Sequence, residues 1–198
     1  NQTTGALTSI ASAVVSASMS NAIAVDPTGR FVYVANYGSS SVNAFQINQS
    51  TGALTSIGTM STLISAPRSL AVDPRGSFLY VANYGSNAIS VYSINQTTGA
   101  LTSTTSIAAG ARPYFVTVDP TGRFVYSTNF DDNTVSIYSL NSTTGALTTI
   151  STAASTGTGP SSVTVDLFGQ FVYVSNYSSN SVSRFSIHQT TGALSLLG

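Results

Sequence analysis

Apolar and polar positions alternate along this chain with the period of a β-strand, in short runs broken by turn residues. In the first full unit, residues 22–25 form a short run of small and apolar side chains. Asp26-Pro27-Thr28-Gly29 follows as a turn, with Pro and Gly where turns favour them. Residues 31–35 are a second predicted strand, 36–40 a turn, 41–47 a third strand, 48–52 a third turn, and 53–60 a fourth, more polar strand. The second and third strands carry large residues on both faces, Phe31 and Tyr33 against Val32 and Val34. Such strands belong to a sheet covered on each side. The sequence carries no helical pattern.

This unit recurs. Gly-Ala-Leu begins at Gly5, Gly52, Gly99, Gly145 and Gly192, and an Asp recurs at Asp26, Asp73, Asp119 and Asp166, all at spacings of 46 or 47. Four antiparallel strands per repeat, covered on both faces, describe one blade of a β-propeller, whose radial stacking buries what a single blade leaves open. The fold class is therefore all-β, with repeats at about 16–60, 61–107, 108–152 and 153–198 in one domain over 1–198. The small residues of the first strand suit the crowded axis, and the Ser/Thr-rich fourth strand suits the rim. A β-solenoid is the alternative, though its repeat is usually shorter.

The stretches "DPTGRFVYVANYGSSSV", "VDPRGSFLYVANYGSNAISVYSI" and "TGALT" resemble the YVTN-type repeats of the seven-bladed lactonase-like propellers. That group includes 6-phosphogluconolactonase-like enzymes and many surface-layer or secreted proteins. The resemblance covers essentially the whole chain and implies the blade type rather than a function. It departs from the family in copy number, four against seven.

The ends are out of step with four complete units. Residues 1–15 carry fourth-strand text ("GALTSIASAVV") with no inner strands before it, a spare outer strand. It either closes the last blade, through residues 7–15, or pairs with an unpaired edge of another molecule. Three geometries follow: a four-bladed ring, two chains sharing an eight-bladed ring, or a segment of an array or filament. Starting at Asn1, with Met only at positions 19 and 60, the chain resembles a processed or excised piece.

Composition sharpens this picture. Arg supplies all six cations and Asp all six anions among 198 residues, with 34 Ser and 27 Thr and no Lys, Glu, Cys or Trp. Charged residues are 6% of the chain, against about 25% in ordinary domains. A net charge of zero excludes a nucleic-acid footprint, and no apolar run is long enough to span a membrane. So uncharged a surface favours association. We therefore expect a homo-oligomer or filament held by strand-edge pairing.

Few residues point to chemistry. Arg68 and Arg112 flank Pro67 and Pro113 at the entry to a first strand. They lie close to a propeller's axial mouth, where they either bind a carboxylate or anionic sugar or pair with Asp residues of neighbouring blades. Asp131 and Asp132 break the repeat and, with Asn129 and Asn133, offer oxygen ligands for a hard cation; the alternative is a solvated turn. Asn1, Asn48, Asn95, Asn141 and Asn176 each begin an N-x-[ST] sequon open to glycans, unless they are plain turn formers. Tyr37, Tyr84, Phe130 and Tyr177 recur after the second strand, as a sugar-binding stripe or as packing between blades. His188, the only histidine, sits in a turn with no carboxylate near it in the repeat. No cofactor is expected.

The lactonase-like family's acid–base machinery finds no matching positions in a chain without Glu or Lys. The residues thus predict a non-enzymatic structural or adhesive protein, extracellular or at the cell surface. A ligand- or glycan-binding module and a truncated lactonase-like enzyme are the alternatives.

Overall fold

The computed structural model describes residues 17–61, 63–150 and 153–197. Seventeen strands and no helix occur among them. Blade one holds β1 (Ser20–Val25), β2 (Phe31–Asn36), β3 (Ser41–Ile47) and β4 (Leu54–Met60). Blade two holds β5 (Pro67–Val72), β6 (Phe78–Asn83), β7 (Ala88–Ile94) and β8 (Leu101–Ala108). Blade three holds β9 (Pro113–Val118), β10 (Phe124–Asn129), β11 (Thr134–Leu140), β12 (Leu147–Thr149) and the two-residue β13 (Ala154–Ser155). Blade four holds β14 (Pro160–Val165), β15 (Phe171–Asn176), β16 (Ser181–Ile187) and β17 (Leu194–Leu196). Each sheet is an antiparallel meander in chain order.

The strands predicted for the first unit match β1–β4 to within two residues. One boundary moves: Ala154 and Ser155, which the spacing assigns to the fourth unit, pair with Val135 and Thr134 of β11. The spare strand of residues 1–15 lies outside the described residues. Blade four takes its outer strand from β17, with Phe185 opposite Leu196 and Ile187 opposite Leu194.

Asp26, Asp73, Asp119 and Asp166 build the turn between the first two strands of every blade. Asp26 Oδ1 accepts the N–H groups of Arg30 and Phe31 at 2.7 and 2.6 Å, and its other oxygen accepts the Thr28 N–H and hydroxyl. Gly29 occupies the left-handed region at φ 70°, which a Cβ would strain. Burial opposes the ionisation of Asp26, but the Thr28 hydroxyl and the N–H groups of Phe31, Thr28 and Arg30 outweigh it and hold its pKa below the ordinary value.

The core lies between blades. Phe31, Tyr33 and Val42 of blade one pack on Leu70, Leu79 and Tyr92 of blade two. Phe78, Tyr80 and Ile89 pack on Val116, Val125 and Tyr138, and Phe124, Tyr126 and Ile137 pack on Val163, Val172 and Phe185. Each interface is the same face of one blade against the opposite face of the next. Complete burial of a large apolar side chain contributes about 1.5–3 kcal/mol, so these three seams hold the blades together. At the end of blade four the pattern stops, while at the other end Val32, Val34 and Phe45 of blade one stay buried. β2, β6 and β10 are buried along their whole length, whereas β15 alternates between exposed and buried. The four blades form an open arc.

Candidate functional site

The turns after the second strands and the entries to the inner strands meet at one end of the arc. Tyr37, Tyr84 and Phe130 leave blades one to three there, joined by Tyr114 of β9. Ring centroids are 6.0 Å apart for Tyr37–Tyr84, 6.3 Å for Tyr84–Tyr114 and 5.2 Å for Tyr114–Phe130. Tyr37 and Tyr84 therefore meet across blades, Phe130 stacks on Tyr114 within blade three, and Tyr177 of blade four is exposed.

Both predicted arginines lie against these rings. The Arg68 guanidinium lies 4.3 Å from the Tyr114 ring centre and 5.8 Å from that of Tyr37, and it donates to the Tyr114 hydroxyl. Cation–π contact of this kind favours the charged group in a half-buried place. Arg112 lies 5.2 Å from the Tyr84 ring centre, and its Nε is 3.2 Å from Asp131 Oδ2. This is a pair within one blade, whereas the sequence pointed to a neighbouring blade.

Arg112 is held in a left-handed backbone at φ 53°, a conformation that costs a non-Gly residue energy. Side chains from three positions pin the loop that carries it. Asn87 Oδ1 accepts the Arg112 N–H at 2.9 Å, Asp132 Oδ2 the Ala111 N–H at 2.6 Å, and Asn129 Oδ1 the Gly110 N–H at 3.1 Å. Asp131 and Asp132 thus turn to different partners instead of converging on one point. Among the described residues, no three His, Cys, Asp or Glu side chains gather to hold a metal ion.

Shallow cavities open between these groups. One of about 430 Å³ lies between Tyr37, Tyr84, Arg112 and Asp131, and another of about 300 Å³ between Met19, Tyr37, Arg68 and Tyr114. A third, of about 280 Å³, lies beside Asn21, Arg68, Tyr114 and Ser161. Asn21, Arg68, Tyr114 and Ser161 are the second residues of the four inner strands. That one position differs in every blade, while the residue before it is Pro in three of the four. Tyr114 and Asn87 went unnoticed in the sequence, and the signal for Tyr114 was this break in the repeat.

The remaining candidates lie elsewhere. Asn48, Asn95 and Asn141 are exposed in the turns at the opposite end, each with Oδ1 accepting two following N–H groups. Asn176 is 2% exposed, and its amide nitrogen donates to Ser181 and Ser183, so its sequon presents no acceptor in the folded chain. Asn36, Asn83 and Asn129 fill the same buried place in the other blades. Asn1 lies outside the described residues. His188 is an exposed turn residue whose Nδ1 accepts the Thr191 N–H at 3.3 Å.

Comparison with known proteins places this geometry. The sequence pattern of the family described as lactonase, 7-bladed beta-propeller, matches residues 2–118 and 115–198. No curated protein sequence matches the chain. Among solved structures, a Bacteroides fragilis protein assigned as a 6-phosphogluconolactonase aligns with TM-score 0.82 and 22% identity, over 90% of this chain and 53% of its own. A Lactobacillus plantarum protein aligns with TM-score 0.81 and 24% identity, over 90% and 54%. The periplasmic gluconolactonase of Pseudomonas aeruginosa aligns with TM-score 0.78 and 21% identity, over 90% and 53%. The chain spans about half the length of these solved structures.

These findings overturn two expectations, that the chain is a structural or adhesive surface protein and that it is no enzyme. The sequence argument equated the absence of Glu and Lys with the absence of a charged mouth. Folding gathers Arg68, Arg112, Asp131 and Asp132 at one end, so four of the twelve charges stand at the mouth. Through the match over its full length, the chain belongs to the lactonase, seven-bladed β-propeller family.

Proposed function

We propose that the aromatic mouth binds a sugar lactone and that the protein hydrolyses it. The observation that carries this reading is the blade-specific position holding Arg68 against Tyr114, beside the Arg112–Asp131 pair. Aromatic rings offer flat apolar surface to the C–H face of a sugar ring. Arg68 supplies a cation for an anionic substituent of the substrate or for the carboxylate product.

In this reading, water attacks the lactone carbonyl carbon, forming the new C–O bond while the ring ester C–O bond breaks. Asp131 takes the proton of the attacking water and returns it to the departing ring oxygen. Arg112 faces the charge that develops on the carbonyl oxygen. The assignments of the Bacteroides fragilis and Pseudomonas aeruginosa proteins, to phosphogluconolactone and gluconolactone chemistry, support the substrate class.

The test is hydrolysis of gluconolactone and of 6-phosphogluconolactone by the purified chain, followed by acid release and corrected for the spontaneous rate. Turnover should fall roughly 100-fold or more in Asp131→Asn, and Arg68→Ala should raise KM most for the phosphorylated lactone. Rates equal to the spontaneous reaction for both lactones would overturn the reading. Sugar-acid binding without turnover would select a second one, a binding module that uses the ring ladder alone.

A further inference from the structure

Each of the three seams between blades carries the same hydrogen bond at the mouth end. The residue just before the third strand of one blade has a left-handed backbone, at φ 47° in Ser40, 53° in Asn87 and 56° in Asn133. Its side-chain oxygen accepts the N–H of a second left-handed residue, which precedes the inner strand of the next blade. Ser40 takes the Ala66 N–H at 3.1 Å, Asn87 that of Arg112 at 2.9 Å, and Asn133 that of Gly159 at 2.8 Å. The partners stand 25 or 26 residues apart in sequence.

Left-handed backbone favours Gly and strains a residue that carries a side chain. Ala66 and Gly159 bring no functional group to this place. Of the three residues held in this way, only Arg112 does. It lies outside β9, so its N–H takes no part in the sheet, and Asn87 is its acceptor.

The four-residue turn of blade two that supplies Asn87 also supplies Tyr84. The Tyr84 ring centre is 5.2 Å from the Arg112 guanidinium. One turn therefore grips Arg112 at both ends, its backbone through Asn87 and its guanidinium through Tyr84. Blade three holds it from the other side. The Phe130 N–H donates to the Arg112 carbonyl at 3.0 Å, and Asp131 Oδ2 faces its Nε at 3.2 Å. Because the guanidinium stands at the tip of a long side chain, a small change at the Arg112 backbone is magnified there.

We infer that Asn87 is a positioning residue for Arg112. By accepting the Arg112 N–H across the seam, it holds the strained backbone that aims the guanidinium at Tyr84, Asp131 and the cavity of about 430 Å³ between them. Asn87 lines the same cavity, but it acts through Arg112, because its side-chain oxygen is committed to that N–H. Its effect on turnover rests on the part given to Arg112 in lactone hydrolysis. Its effect on the guanidinium does not.

Three variants separate this role from a merely structural one. Asn87→Gly removes the acceptor and suits the left-handed backbone. Asn87→Asp is isosteric and keeps an oxygen in place. Ser40→Gly removes the corresponding bond from the seam where the held residue is Ala66. The first readout needs no ligand. It is the Arg112 Nε–H signal in a heteronuclear correlation spectrum, identified by its loss in Arg112→Lys and displaced by the Tyr84 ring. It should move to the position of a free arginine in Asn87→Gly, return in Asn87→Asp and stay in place in Ser40→Gly.

The second readout is lactone turnover. Arg112 faces charge that develops only in the transition state, so Asn87→Gly should lower kcat about tenfold and leave KM within about twofold. Asn87→Asp should restore kcat. If the native chain hydrolyses no lactone, the reading of the reaction falls, and the side-chain signal alone decides the role of Asn87. An Arg112 signal unmoved in Asn87→Gly, or moved as far in Ser40→Gly, overturns the inference. So does an unchanged kcat for Asn87→Gly in a chain that hydrolyses lactones. Should Asn87→Gly lose its strand circular dichroism, amide exchange in the native chain decides. The N–H of the exposed Arg112 should exchange at least about tenfold more slowly than that of a free peptide, and exchange at the free-peptide rate overturns the bond.

Discussion

The hydroxyl of Tyr33 donates to the carbonyl of Gly99 at 3.0 Å, 66 residues along the chain, and the same bond recurs from Tyr80 to Gly145 and from Tyr126 to Gly192. Each bond satisfies a buried phenol and locks a blade to the Gly-Ala-Leu turn of its neighbour. The glycine is required twice over. Its φ of 74° at Gly99 lies in the left-handed region, and its missing Cβ leaves room for the Phe31 ring.

Gly99→Ala should therefore destabilise the chain by about 2–4 kcal/mol, through steric overlap with Phe31 added to backbone strain. Gly29→Ala has the strained backbone but nothing within 4 Å of the new methyl, so it should cost only about 1 kcal/mol. Urea unfolding of the two variants measures the difference. Equal losses would show that the Phe31 contact does not matter.

Ser127 stands in β10 where the other blades have Val34, Val81 and Val174, and its buried hydroxyl has no hydrogen-bond partner among the described residues. An unpaired buried hydroxyl costs about 1–3 kcal/mol. Ser127→Val should raise stability by about 1 kcal/mol or more, read as a higher urea midpoint at an unchanged slope. A lower midpoint would mean that the site cannot accept the valine methyls.

Burial, with the nearby Asp26, Asp73 and Asp119 carboxylates, holds the phenols of Tyr33, Tyr80 and Tyr126 well above their ordinary pKa of 10.0. Burial pushes Tyr92 up to about 12. In the unfolded chain these phenols ionise near 10. Above that pH the unfolded state releases protons that the folded state retains, so stability falls as pH rises from 10. At the acid end the sign reverses. The Asp26 carboxyl is held below its ordinary value, so its contribution is present above about pH 4 and is lost as pH falls through its folded pKa. Unfolding midpoints across pH should show a plateau with both shoulders. A flat alkaline side would contradict the buried phenols.

Much of this was legible in the sequence because it is local. Strand length, turn position and the Asp26-type turn depend on residues within about six of each other, and the observed β1–β4 agree closely with the predicted runs. The mouth was half legible. Arg68 and Arg112 were found because Pro67 and Pro113 mark strand entries, whereas Tyr114, which holds Arg68, comes from the next blade, 46 residues away. Asn176 looked like its fellow sequons because the motif is silent about burial, and its amide turned out to be part of a recurring internal bond to the third strand.

The sequence by itself determined the period, the four-stranded blade and the family, since strand alternation and turn chemistry are written in neighbouring residues. Only the tertiary structure decided which blade-specific side chains share the mouth, which repeated asparagines are buried, and which faces the arc leaves bare. Those outcomes depend on how one blade seats on the next, through contacts between residues some 46 to 66 positions apart. No local pattern carries that distance.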